Sequence, residues 1–168
     1  MAKRLFPLAF GLLFLSGSLF AAQPVQVQLS TSGVAPREVE DNTEKAIIRD
    51  YQRAWQSLAA ALSENRTDLL ANDFIGYAQD ELHRRVAEQQ NSGLHTRFID
   101  HGHSLKAIMY SQDGSAMQLR DTAQIEVQQL DGNSVIHSDQ ITQSYLVVMT
   151  AGENRWKVRI LQALPSEQ

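Results

Sequence analysis

An α+β fold, with N-terminal helices packed on a curved four-stranded antiparallel meander, is predicted by three features of the sequence. Apolar residues recur at three- and four-residue steps from Ile47 to Val86, the period of one helix face. From residue 95 onward the spacing switches to two, the period of a strand with one dry face and one wet face. Turn signals separate the period-two runs at Gln112, Asp113 and Gly114, at Asp131 and Gly132, and at Ala151 to Asn154. Turns this short make consecutive strands antiparallel neighbours. Helices followed by a meander place the helices on one sheet face.

The 168 residues suffice for one domain plus a leader. Apolar content of 43% and charged content of 20% are those of a globular chain. There is no cysteine, which excludes disulfides, thiolate metal sites, a cysteine nucleophile and a lipid-modified cysteine. Residues 1–22 read as a signal peptide: Lys3 and Arg4 precede an apolar run over 5–15, and small residues Ser16, Gly17, Ser18, Ala21 and Ala22 follow. A retained leader would instead be an N-terminal membrane anchor, since its apolar stretch reaches the lower limit for a span. Removing 1–22 leaves 13 basic and 19 acidic residues, a net charge of −6. An acidic body without a basic patch argues against nucleic acid as a partner. The expected location is periplasmic or secreted, or membrane-anchored if the leader stays.

Residues 23–40 mix Pro, Gly, Ser and Gln and read as a linker or N-terminal arm. Val25, Val27 and Leu29 alternate and permit a short edge strand. The first helix begins near Asp41, where Asp41 and Glu44 have capping-box spacing and Thr43 is the other candidate cap. Its stripe is Ile47, Tyr51, Trp55, Leu58 and Leu62, and it stops between Ser63 and Arg66. Asn65, Arg66 and Thr67 match a glycosylation acceptor. Thr67 can cap a second helical region carrying Leu70, Phe74, Ala78, Leu82 and Val86, which Gly76 divides and Gly93 ends.

The four strands are read over 96–110, 116–128, 135–150 and 155–162. In the second, Met117, Leu119, Ala123, Ile125 and Val127 form the dry face, and Asp121 is its single break. In the third, Tyr145, Val147 and Met149 face one way while Leu146 and Val148 face the other. A strand apolar on both faces is covered on both, which a second copy of the chain or the 23–40 arm would supply. In the fourth, Trp156, Val158 and Ile160 point inward. Residues 164–168, with Pro165, form a tail.

A helix containing Tyr51 and Trp55, a second helical region, and a long meander closing on Arg155, Trp156, Lys157 and Val158 resembles the NTF2-like (cystatin-like α+β cone) superfamily. The resemblance covers 41–163, about three-quarters of the chain, and is closest to the small domain of plastid-division inner-membrane proteins. It implies a cone-shaped fold. The superfamily includes isomerases and cyclases with acid/base groups in the cone, and many non-catalytic binding domains, so fold by itself selects no activity.

Asp121 and His103 are the candidate catalytic residues. If residues 112–114 form a three-residue turn, Met109 lies opposite Met117 and Leu105 opposite Asp121, making His103 the diagonal neighbour of Asp121. A carboxylate beside an imidazole in an apolar interior can move a proton. The structural alternative is a polar pair satisfied by backbone donors, a tyrosine hydroxyl, or Arg97 on the same face, with Asp100 on the opposite one. His101 and His103 also have the spacing of a strand metal site with Asp121 or His95 as third ligand, although no metal and no cofactor is expected. The candidate ligand pocket comprises Trp55, Phe74, Tyr77, His101, Leu105, Leu119 and Trp156.

Two functions follow from these residues, and a third, a membrane-tethered assembly module, follows if the leader is retained. One is an exported, non-catalytic domain that binds a small apolar molecule or a protein partner, with a homodimer through the outer sheet face. The other is a cofactor-free isomerase or lyase with Asp121 as base and His103 as its partner.

Overall fold

The computed structural model describes residues 25–165; the leader read over 1–22 and the end of the tail lie outside the described residues. In chain order the elements are β1 (Val27–Ser30), β2 (Ala35–Pro36), α1 (Asp41–Glu64), a 3-10 turn (Thr67–Leu70), α2 (Gly76–Ser92), β3 (Leu94–Tyr110), β4 (Ala116–Asp131), β5 (Ser134–Ala151) and β6 (Trp156–Ala163). β3 to β6 form the expected antiparallel meander, but the sheet is mixed and has six strands. β1 and β2 both pair in parallel with the far edge of β3. The arm therefore extends the sheet by pairing with β3 and does not lie over the outer face of β5 among the described residues. Its alternating Val25, Val27 and Leu29 provide the apolar side, and β3 offers an otherwise open edge, which chains tend to cover. Two bonds seat it: the His103 N–H donates to the Gln26 carbonyl at 2.8 Å, and the Gln52 amide to the Val25 carbonyl at 3.0 Å.

The apolar stripe of α1 is buried along its length, through Ile47, Tyr51, Ala54, Trp55, Leu58, Ala61 and Leu62. It packs on the inner sheet face, where Leu105, Ala107, Met117, Leu119, Ile125, Val147, Met149 and Val158 are buried. Each large side chain sealed this way stabilises the fold by roughly 1.5–3 kcal/mol. Asp41 is the first helical residue, and the cap position falls on Glu40, which has extended backbone and makes no side-chain cap bond. Arg37 and Thr43 hold the Glu40 carboxylate instead. At the other end Asn65 adopts φ 53° and closes the helix. Its side chain donates to the Leu94 carbonyl at 2.9 Å, so the glycosylation acceptor is engaged in joining α1 to β3.

Two buried carboxylates tie α1 to β6. Asp50 accepts from the Trp156 backbone N–H at 2.9 Å and from Arg49 at 2.8 Å. Asp73 accepts from Ser57 at 2.6 Å and Arg155 at 3.2 Å. Residues 73–75 run beside β6, with Val158 N–H to the Asp73 carbonyl at 2.9 Å and Ile75 N–H to the Val158 carbonyl at 3.0 Å. That short pairing leads into α2, and Gly76 turns the chain with φ 55°.

Four register shifts interrupt the ladders of the described sheet, one of them between Gln129 and Leu130 where β4 meets β5, and the other three set which side chains face the core near the site. The β3–β4 turn pairs Tyr110 with Met117 and Met109 with Gln118, so Met109 is not opposite Met117. A register shift between Ala107 and Met109 then restores the Leu105–Asp121 pairing. A second shift lies between Asp100 and Gly102, where Gly102 takes φ 134°, a conformation that favours glycine. A third, between Val148 and Met149, pairs Val148 with Ile160 and Val147 with Leu161. Ile160 thus stands on the outer face beside Val148, and Leu161 turns inward in its place.

Candidate functional site

The Gly102 bulge reverses the faces of the first half of β3. Beyond it, Asp100, Phe98 and Thr96 share the inner side with His103, while Arg97 and His101 pass to the outer side, where Arg97 reaches Gln128 at 3.4 Å and His101 is exposed. Two sequence expectations fall with that reversal. Asp100, not Arg97, is the inward neighbour of His103. The two imidazoles of His101 and His103 stand on opposite sides, so the strand metal site does not form. Among the described residues no group of three or more His, Asp and Glu is placed to hold a metal.

His103 is held at both ring nitrogens. Nδ1 lies 2.7 Å from Asp121 Oδ2, and Nε2 lies 2.8 Å from Asp100 Oδ2. Asp121 Oδ2 also accepts from the Tyr51 hydroxyl at 2.8 Å. The side chains of His103 and Asp121 are both 0% exposed. A neutral imidazole donates through only one nitrogen, whereas the imidazolium donates through two. Two carboxylate acceptors therefore call for the cation. Burial, the largest single influence, pulls the His103 pKa down, but hydrogen bonds to Asp100 and Asp121 and the charges of both outweigh it, and the pKa is pushed up to about 9. Burial, and then the Asp121 charge, hold the Tyr51 phenol well above its ordinary value. Tyr51 is thus a fixed donor.

Aromatic rings seal this cluster. Trp55 lies over His103 with ring centroids 4.4 Å apart, and Tyr51 meets the imidazole edge-on at 5.7 Å. On its far side Trp55 contacts Tyr145 at 5.6 Å and Phe98 at 6.1 Å. These three rings line a cleft of about 350 Å³ between α1, α2, β3, the middle of β5 and the end of β6, with Leu58, Glu81, Arg85, Ile141, Leu161 and Tyr77 among its walls. That volume is at the lower end of small-molecule sites, roughly 300–1,000 Å³.

Of the seven residues expected to line a pocket, Trp55 and Tyr77 line this cleft. Phe74, Leu105 and Leu119 are filled core, at most 2% exposed. His101 faces solvent, and Trp156 packs against Tyr110 at 6.3 Å near the start of β6. A cone that is packed at Leu105 and Leu119 has no room there, so the open volume is displaced toward α2. Sequence reasoning missed Asp100, Phe98, Arg85 and Leu161. An isolated glycine within a strand signals a bulge, and Gly102 could have placed Asp100 and Phe98. The other two needed the packing of α2 and the shift in β6.

A general acid or base must reach the atom it protonates, directly or through one water. His103 and Asp121 have Trp55 between them and the cleft. As arranged, the cluster holds a proton and does not present it.

No protein-family model matches this sequence, and no curated protein is similar to it at a significant level. Among solved structures, the fold is similar to the intermembrane space region of the chloroplast protein ARC6, with a TM-score of 0.64, 17% identity, and 78% of this chain and 100% of that chain covered. It is also similar to a putative scytalone dehydratase from Novosphingobium aromaticivorans, with a TM-score of 0.50, 13% identity, and 75% of this chain and 89% of that one covered. The chain has an NTF2-like α+β fold resembling the ARC6 region, and at these identities the likeness is one of fold.

Proposed function

We propose that this protein is an exported, non-catalytic NTF2-like domain whose cleft binds a small apolar molecule. One observation carries the reading. Trp55 separates a sealed charge cluster from an open cleft, so the groups able to move a proton are not the groups a ligand would touch. Apolar and aromatic walls with few polar groups are the usual make-up of small-molecule sites. The leader pattern of residues 1–22 supports export to the periplasm or beyond, and mass spectrometry of the mature protein tests it. Retention of residues 1–22 would make the domain membrane-tethered.

The test of binding is an NMR titration with 1-naphthol. Shifts confined to the Trp55 indole N–H and the Leu58, Ile141 and Leu161 methyl groups support the reading. Shifts elsewhere, or none at millimolar ligand, refute it.

The acid/base reading keeps one point in its favour: a Tyr51–Asp121–His103–Asp100 chain stands one ring behind the cleft, in a fold shared with a protein named as a putative dehydratase. It requires Trp55 to swing aside. Dehydration of a hydroxy-ketone probe by the wild type, lost in Asp121→Asn, would establish it. The outer-face homodimer rests on Leu146, Val148 and Ile160, and scattering-coupled gel filtration showing a strict monomer at high concentration would remove it.

A further inference from the structure

Two polar side chains of the cleft wall, Arg85 and Tyr145, donate to no acceptor among the described residues. Arg85 stands on α2 with its guanidinium 6.0 Å from the Phe98 ring centre, and it makes no ion pair with a carboxylate among the described residues. Glu81, which also lines the cleft, is paired with Arg84, so Arg85 is left without an ion-pair partner of its own among the described residues. Tyr145, on the facing strand, has a hydroxyl with no hydrogen-bond partner among the described residues, its contact being the ring of Trp55. Both residues line the cleft; burial raises the Tyr145 pKa, and the Arg85 charge works against that rise without reversing it. The phenol therefore stays protonated and remains a donor. The cleft's Gln143 is already committed, donating to the Ser144 and Leu164 carbonyls at 2.8 Å each.

We propose that the cleft takes a small amphipathic carboxylic acid, its anionic head held between the Arg85 guanidinium and the Tyr145 hydroxyl. The apolar body lies on Trp55, Phe98, Leu58 and Leu161. This proposal rests on the ligand cleft proposed above and adds the charge of the ligand. The guanidinium only donates and the protonated phenol can donate beside it, and both bonds are stronger to a carboxylate than to the neutral carbonyl of an amide. A charge-assisted pair at the edge of an apolar site is also stronger than it would be in water.

The experiment is calorimetric titration with two probes of one shape, naphthalene-2-carboxylate and naphthalene-2-carboxamide. The expected result is binding of both, with the carboxylate roughly tenfold or more tighter. In Arg85→Gln the two affinities converge while the carboxamide keeps its wild-type value, and in Tyr145→Phe the preference shrinks. Equal affinities in the wild type, or an undiminished preference in Arg85→Gln, would overturn the assignment and leave the cleft reading intact. Failure of both probes to bind would overturn the cleft reading itself. Thermal unfolding of Arg85→Gln at the wild-type temperature confirms that the exposed substitution changes charge and not folding.

Discussion

Trp55 and His103 lie with their rings 4.4 Å apart, at an interplanar angle of 41°, and mark the boundary between two environments. On the imidazole side every strong donor is matched to a carboxylate. On the indole side the rings open on a cleft. A protein that used His103 as a catalyst would need the ring that covers it to be elsewhere.

Stability should fall as pH rises through the alkaline range. Well below pH 6.5, the unperturbed value, His103 is protonated in both folded and unfolded chains, and its contribution is complete. Above that value the unfolded chain gives up its proton first, and the contribution is lost progressively until the folded group titrates near 9. The full shift corresponds to about 3 kcal/mol. Thermal melts from pH 6 to 10 should show the decline, and His103→Gln should flatten it. Nitrogen-15 spectra showing a neutral imidazole at pH 7.5 would contradict the charge assignment.

Asp121→Ala should cost more than Tyr51→Phe. The first leaves a buried imidazolium with one carboxylate and a buried phenol with none, and losing one partner of a buried ion pair costs about 3–5 kcal/mol. The second removes one hydrogen bond to a charged group, about 1.5–3 kcal/mol. Urea unfolding checks the order. A reversed order would mean that Asp121 is the group under strain.

Gly102→Ala should destabilise by more than about 1 kcal/mol, because φ 134° is closed to a side chain. The effect should extend to His103. Asp100 reaches Nε2 only because the bulge turns it inward, so the imidazole pKa should drop toward its ordinary value. A destabilised variant with the His103 pKa unchanged would separate the bulge from the cluster.

Asp73→Ala should loosen the junction of α1 with β6, leaving Ser57 and Arg155 without their acceptor. The expected cost is about 1–3 kcal/mol. Hydrogen exchange should quicken at the Val158 and Ile75 amides, which close the adjoining backbone pair. Protection unchanged at both would show that the backbone pairing holds without the carboxylate.

The meander and α1 were legible because their signals are local. Turn residues and a repeat of 2 or 3.6 act over a few positions, and the observed strands begin and end within about three residues of the expected ones. The inward Asp121 was legible for the same reason. Face assignments failed wherever a bulge intervened, since one extra residue reverses every side chain beyond it. This moved Asp100, Arg97 and His101 to unexpected sides of β3 and Ile160 to the outer face of β6. The pocket failed differently. Phe74, Leu105 and Leu119 were correctly apolar and inward, but an apolar inward residue fills a core as readily as it lines a cavity.

The sequence by itself determined the element order, the buried stripe of α1 and the presence of one carboxylate on the dry face of β4, because periodicity, turn chemistry and burial are properties of short segments. Only the tertiary structure decided what that carboxylate does. Its partners come from α1 and from β3, 70 and 18 residues away in the chain for Tyr51 and His103, and Asp100, from the other side of the β3 bulge, holds the far nitrogen of His103. The ring that closes them off from the cleft arrives with α1 as well. Convergence over such separations depends on register, and register is set by where each bulge falls.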